Sequence, residues 1–203
     1  EDSKGRLWFG TGGGGLNMFV EKDNRFIRYV RTGSSKNEIS GNYIRTVYED
    51  SKNNIWIGTW GAGLNKFNIQ TKTFIVYKSD PNNSNSLSHN TVMSIYEDSQ
   101  EILWIATSGG GLNSVNSLTE TFKHITLSDG LPNNVIYGIL PDKSGNLWLS
   151  TNFGLACYNP ETNIVRNYDE RDGLQSNEFN QGAFCKGIDG RLYFGGVSGF
   201  NSF

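Results

Sequence analysis

The 203-residue chain has no long apolar run and no marked excess of charge of either sign. Its longest hydrophobic stretches are a few residues, against the ~20 that a membrane-spanning helix needs. Its first residues, EDSKGR, are polar and acidic, so neither a span nor a secretory leader is read, and no direct membrane insertion is expected. Lys plus Arg number 18 and Asp plus Glu 20, a formal balance of −2 that offers nucleic acid no broad basic face. Cysteine is confined to Cys157 and Cys185, too few for a disulfide scaffold, and neither has a CxxC or Cys/His neighbour that would point to a metal. Both are read as small apolar core residues, with their redox state left open. No cofactor is expected. Ala and Leu are sparse, whereas Gly numbers 25, aromatics make up 13%, and Asn, Ser and Thr abound, which favours strands and tight turns. An all-β fold follows.

Self-similarity decides the architecture. GRLWFGTGGGGLNMF, NNIWIGTWGAGLNKF, EILWIATSGGGLNSV, GNLWLSTNFGLACYN and GRLYFGGVSGFNSF are one pattern written five times. Its aromatic anchors, Trp8, Trp56, Trp104, Trp148 and Tyr193, are spaced by 48, 48, 44 and 45 residues. Recurring at one strand position, they are expected to be core, each buried ring contributing a gross ~4–6 kcal/mol. Within the second unit four strands are predicted over Tyr43–Asp50, Asn54–Trp60, Gly63–Asn68 and Thr73–Lys78. The DSKNN turn joining the first two carries an Asx-type Asp, and Asn53 stands where a left-handed backbone is needed; Gly5 and Gly145 hold that place in DSKG and DKSG. In DSQE, Glu101 takes it and would be strained.

Four antiparallel strands per forty-odd residues, with Trp and Gly at fixed offsets, are the signature of a β-propeller blade. Thr46, Ser94 and Gly138 share one register and would let neighbouring blades approach closely. The predicted units are a partial blade over 1–36, blades over 37–84, 85–128 and 129–172, and a partial last blade over 173–203. Three complete and two incomplete blades read as an arc of a larger propeller, and the first residues fall inside a repeat, so the chain reads as an excerpt of a longer one. An open arc leaves two apolar blade faces that a second copy could cover, giving a homodimer.

GNYIRTVYEDSKNNIWIGTWGAGLNKFN and SHNTVMSIYEDSQEILWIATSGGGLNSVN resemble the two-component regulator propeller repeat of bacterial hybrid two-component sensors, and the resemblance covers nearly the whole chain. The ending DGLQSNEFNQGAFCKGIDGRLYFGGVSGFNSF resembles that family's last blade. The resemblance implies propellers of about seven blades in tandem, an immunoglobulin-like domain beside the membrane, periplasmic exposure, oligosaccharide ligands, and a downstream histidine kinase. Its implied partners are thus an oligosaccharide, the remaining blades and the immunoglobulin-like domain. No kinase motif, phosphoacceptor context or DNA-binding helix is present in the chain itself.

In a propeller the connection entering each innermost strand and the turn between its second and third strands share one face, where binding groups collect. The entering connections EISGN, SLSHN, GLPNN and GLQSN each end in Asn: Asn42, Asn90, Asn134 and Asn177. An Asx turn starting the strand explains them structurally, and the amides of Asn90 and Asn134 could also meet sugar hydroxyls. An asymmetric ligand needs residues that differ among repeats, which selects Tyr43, Arg45, Trp60, His89, Tyr137, Phe153 and Glu178. Arg45 stands where the other units have Met93 and Tyr137 and could pair with a uronate or sulfate, or snorkel or pair with a nearby carboxylate. Trp60 is an aromatic in a turn where the other units have Gly12, Ser108 and Asn152.

Enzymatic readings find less support. The DxxGxLW string is loosely similar to the Asp-box of sialidases but lacks its Ser and Thr, and eight scattered Arg identify no convergent set. A loose similarity to streptogramin lyase propellers meets only two His, His89 and His124, in separate segments. No nucleophile, base and orienter come together, so no catalytic residue is assigned. The alternative to ligand binding is a structural arc that mediates protein contacts.

Overall fold

The computed structural model describes residues 1–116 and 119–203, and its described residues form five antiparallel sheets. The first holds β1 (Leu7–Gly10), β2 (Leu16–Val20) and β3 (Arg25–Tyr29); the second holds β4 (Ile44–Glu49), β5 (Ile55–Thr59), β6 (Leu64–Asn68) and β7 (Thr73–Tyr77). The third is β8 (Val92–Glu97), β9 (Ile102–Thr107), β10 (Leu112–Asn116) and β11 (Phe122–Ile125). The fourth is β12 (Ile136–Pro141), β13 (Leu147–Thr151), β14 (Leu155–Asn159) and β15 (Ile164–Tyr168), and the fifth is β16 (Phe179–Lys186), β17 (Leu192–Gly196) and β18 (Gly199–Ser202). Each is a meander of neighbours in sequence, so the first sheet lacks an innermost strand and the fifth an outermost one. β4, β8, β12 and β16 pack in succession, which sets the sheets side by side as propeller blades.

Four apolar clusters fill the four joints between successive sheets. At the first joint the half-buried Trp8 and Tyr29 stack on each other and meet Phe67 of the second sheet, with ring centroids 6.0 and 4.8 Å away. Trp56 stacks on Tyr77, whose ring meets Phe122 of the third sheet, and Trp104 meets Tyr158 of the fourth. The four repeated Trp are therefore part of the glue between blades, whereas the expected anchor Tyr193 is half-buried opposite Cys185 on the uncovered face of the fifth sheet, where no further blade packs on it. Gly138 shows how close the inner strands run, because a methyl group there would lie 2.3 Å from the Phe184 ring.

Three polar devices recur. The aspartate of each DSxx or DKSG turn takes backbone N–H groups on Oδ1 and the indole N–H of the anchor Trp on Oδ2: Asp2 to Trp8 at 2.8 Å, Asp50 to Trp56 at 2.8 Å, Asp98 to Trp104 at 2.7 Å and Asp142 to Trp148 at 3.1 Å. In the turn itself Asn53 has φ 62° as predicted, and Glu101 adopts φ 60° in the same place, so its turn keeps the common shape despite the side chain. In the second device, Thr59, Thr107 and Thr151 hydroxyls donate to the carbonyls of Gly63, Gly111 and Gly154 and close the turns between second and third strands.

The third device is the Asn that ends each GLN or GFN triplet, buried at Asn65 and Asn113 and half-buried at Asn201. Asn65 accepts from Ser40 N–H and donates to Ser40 Oγ; Asn113 does the same with Ser88, and Asn201 accepts from Gln175 N–H. In the fourth unit the loop residue is Pro132, which has no N–H, and the Asn position holds Ala156. Donor and acceptor are absent together, which avoids a buried, unpaired amide.

The cysteines depart from the core reading. Both thiols are free, Cys157 half-buried and Cys185 exposed, because Cys185 lies on the face of the fifth sheet that no other sheet covers.

Gly138→Ala is expected to destabilise the fold by about 1–3 kcal/mol through overpacking, whereas Gly12→Ala, with nothing within 4 Å of the added methyl, should leave it nearly unchanged; urea denaturation compares the two. Burial pushes the Asp142 carboxyl up, but hydrogen bonds from the Asn146 and Trp148 side chains and from the Ser144 and Asn146 N–H groups prevail and hold it below its ordinary 3.8. Its stabilising contribution is thus complete above that value and is lost as pH falls through the depressed one. Asp142→Asn should flatten that part of an acid denaturation curve, and an unchanged curve would show the carboxylate to be unimportant.

Candidate functional site

The candidate residues lie along one rim, where the loops entering β4, β8, β12 and β16 meet the turns of neighbouring blades. Backbone hydrogen bonds stitch this rim together. The carbonyl of Asn42 accepts from Gly13 and Gly15, that of Asn90 from Gly63, that of Asn134 from Gly109 and Gly111, and that of Asn177 from Gly154. Gly63 has φ 94°, and a Cβ there would lie 2.3 Å from the Tyr77 carbonyl, so the turn requires glycine.

The side chains of these Asn residues do something other than open an Asx turn. Oδ1 of Asn42, Asn90, Asn134 and Asn177 accepts from the N–H of Arg31, Ser79, Leu127 and Glu170, seven or eleven residues earlier. Each ties down the connection from the preceding blade. Asn90 and Asn134 thus have their carbonyl oxygens engaged in holding loops.

The innermost strands carry an irregularity that the sequence does not display. Pairing between β4 and β5 skips Arg45, that between β8 and β9 skips Met93, and that between β12 and β13 skips Tyr137. These are β-bulges, which re-aim one side chain and leave it outside the ladder. Met93 is buried, Tyr137 is half-buried and Arg45 is exposed.

Among the described residues, Arg45 forms no ion pair with a carboxylate. Its guanidinium carbon sits 4.3 Å from the centre of the Trp60 ring, a cation–π stack, and Trp60 N–H donates to the Tyr43 carbonyl at 2.9 Å. Trp60 is 49% exposed and Tyr43 57%, so the structure brings these three together as an open aromatic and cationic platform. A second group forms at the other end of the rim. The Tyr137 hydroxyl donates to Asn152 Oδ1, and Tyr137 titrates above its ordinary value because of burial and, next, the nearby negative charge of Glu178. Asn152, placed among the small turn residues by its sequence position, is a member of this group that sequence reasoning did not single out.

His89 and Phe153 belong to neither group. Nδ1 of His89 accepts the Thr91 N–H at 3.1 Å, which in the neutral ring leaves the proton on Nε2. Phe153 is 55% exposed at the tip of its turn, its N–H donating to Thr151 Oγ1. Three cavities of about 790, 400 and 360 Å³ lie elsewhere, between the third, fourth and fifth sheets, and no candidate residue lines them. At the rim, Tyr43, Trp60 and Phe153 stand open to solvent.

Comparison with known proteins bears on the fold that carries this rim. Residues 38–61, 86–109 and 130–153 match the model of the two component regulator propeller. A 75-residue stretch is 41% identical to histidine kinase P4 of Formosa agariphila, covering 37% of this chain and 6% of that protein. The whole chain superimposes on the extracellular domain of a putative hybrid two component system from B. thetaiotaomicron with a TM-score of 0.81 and 28% identity, covering 30% of that chain. A second such domain from the same organism gives 0.65 at 28% identity, covering 32%. Virginiamycin B lyase from Staphylococcus aureus, with a TM-score of 0.72 at 14% identity, shares the fold alone.

If the Arg45 and Trp60 side chains interact as the geometry shows, a double-mutant cycle with Arg45→Ala and Trp60→Ala should give a coupling of about 0.5–1 kcal/mol. Chemical denaturation of the four proteins measures it, and strictly additive effects would disprove the stack.

Proposed function

We propose that this chain, an array of two component regulator propeller repeats, is an extracytoplasmic ligand-sensing segment of a histidine kinase receptor, and that it binds oligosaccharide on the rim. The similarity to extracellular domains of hybrid two component systems over the full chain supports the placement. The observation that carries the ligand class is the Arg45–Trp60 platform. An exposed indole offers a flat apolar face to the C–H side of a sugar ring, and the adjacent guanidinium can take a hydroxyl, uronate or sulfate in a fixed geometry. Tyr43 beside it, and the Tyr137, Asn152 and Glu178 group further along, supply hydroxyl, amide and carboxylate partners for a ligand several sugar units long. Ligand acts on the downstream kinase only through a difference in affinity between two arrangements of the sensor.

A scaffolding role rests on a different observation. The outer face of the first sheet exposes Leu7, Phe9 and Phe26, and the fifth sheet exposes Val197 and Phe200. Such faces suit contact with further blades or with another protein. Catalysis has less to build on, since His89 and His124 are engaged by the Thr91 N–H and the Ser86 carbonyl rather than by a carboxylate.

Thermal melts and calorimetric titrations against neutral, uronic-acid-containing and sulfated oligosaccharides test the proposal. One class should raise the melting temperature, and Trp60→Ala or Arg45→Ala should each weaken its binding about tenfold, the loss of one well-packed contact. If binding is unaffected by both substitutions, or no glycan binds, the scaffolding role is favoured instead.

A further inference from the structure

We propose that the cleft between the third and fourth sheets, at the end of the blades opposite the rim, binds a small carboxylate through Ser99 and Tyr96. The chain contains its own template for this chemistry. At the first joint, Glu49 at the end of β4 reaches back to the turn of the preceding blade, where Ser3 N–H and Oγ grip its two carboxylate oxygens at 2.5 and 2.9 Å. At the second, Glu97 at the end of β8 is gripped in the same way by Ser51, at 2.6 and 3.2 Å. Tyr48 completes that joint, its hydroxyl accepting the Glu97 N–H at 3.1 Å.

The third joint keeps the clamp and lacks what it holds. Ser99 and Tyr96 occupy the registers of Ser51 and Tyr48, but the residue equivalent to Glu49 and Glu97 is Pro141, which has neither a carboxylate nor an N–H. Among the described residues, no hydrogen bond is made by the Ser99 N–H, the Ser99 hydroxyl or the Tyr96 hydroxyl. Glu161 borders the same space, and its carboxylate makes no hydrogen bond to Ser99. The space is a cleft of about 400 Å³ lined by Tyr96, Ser99, Gln100, Pro141, Lys143 and Glu161, among others. Its volume is within the range of small-ligand sites, and Lys143 is the cation that borders it.

A second proline substitution in this chain makes the contrast informative. Where Pro132 removes a donor, its acceptor is gone too, as Ala156. Where Pro141 removes an acceptor, the donors remain. The neighbouring Asp98 and Asp142 keep their negative charge while taking an indole and backbone N–H groups, and the filled Ser51–Glu97 clamp holds its carboxylate between the equivalent Asp50 and Asp98. Asp2 and Asp50 stand in the same relation to the two filled clamps. A carboxylate from solution would take up the Ser99 donors as Glu49 and Glu97 do elsewhere. It could come from an aliphatic acid or from a uronic-acid residue.

Amide NMR on the chain tests this, with succinate, glucuronate, glucose and sodium chloride as probes. One or both acids should shift the Ser99 amide resonance in a saturable way, the tighter of them identifying the source, while glucose and chloride should not. Pro141→Glu restores the internal carboxylate and the missing N–H; it should raise the melting temperature and weaken the acid response about tenfold or more. Ser99→Ala removes one donor from an exposed turn and should weaken the response several-fold, which decides the matter if Pro141→Glu does not fold. Trp60→Ala should leave the response unchanged, separating this cleft from the rim. A Ser99 amide that neither acid moves, or a response that survives both Pro141→Glu and Ser99→Ala, would overturn the proposal.

Discussion

Each complete repeat depends on one carboxylate. The aspartate that follows the innermost strand takes N–H groups two and four residues on with Oδ1, which shapes the turn, and the anchor indole six residues on with Oδ2, which fixes the Trp. A buried indole N–H without a partner would cost about 1–3 kcal/mol. With its proton satisfied at the edge of the sheet, the ring can bring its apolar body to the joint between blades, as Trp56 does while 2% exposed. The same residue thus closes the hairpin and positions the interblade core. In the fifth unit both partners change, Gly187 standing for the aspartate and Tyr193 for the tryptophan.

That paired change extends to other contacts. Asn65 and Asn113 each brace the loop that enters their blade, and where Pro132 has no N–H to offer, Ala156 replaces the Asn. The repeats therefore behave as sets of coupled donors and acceptors rather than as strings of independently chosen residues, as the cost of unpaired polar groups requires. Against that background the Ser99 clamp stands apart. Its donors are retained beside a proline that cannot use them.

Much of this fold is legible in the sequence because its signals are local and repeated. Trp and Gly at fixed offsets gave the blades, and the turn chemistry placed Asn53 in a left-handed conformation, where the structure has φ 62°. The site was less legible, because its features depend on contacts between repeats. Arg45 stands out in the sequence as a charge among apolar equivalents, but its stack on Trp60 depends on a bulge that alters pairing without altering composition. The four Asn residues look like turn residues in sequence because an Asx bond spans only two residues, whereas their partners lie seven or eleven residues back and become neighbours only in the folded chain. The unfilled clamp was hidden for a similar reason. Pro141 is unremarkable until Glu49 and Glu97 are seen reaching to the preceding blade.

The two ends of an innermost strand meet different surroundings, and this bears on how an array of blades could respond to what it binds. Tyr137 lies at the rim end of β12, and Pro141 borders the cleft at its other end, about 13 Å away for an extended strand. The strand between them is clamped on both sides, by β13 in its own sheet and by β8 and β16 through the joints. A group bound at either end that favours one setting of β12 against its neighbours must, by linkage, favour binding at the other end if that site prefers the same setting. The second and third blades have this degree of freedom pinned by Glu49 and Glu97. The fourth does not, so the joint between the third and fourth sheets lacks a tie that the two joints before it have.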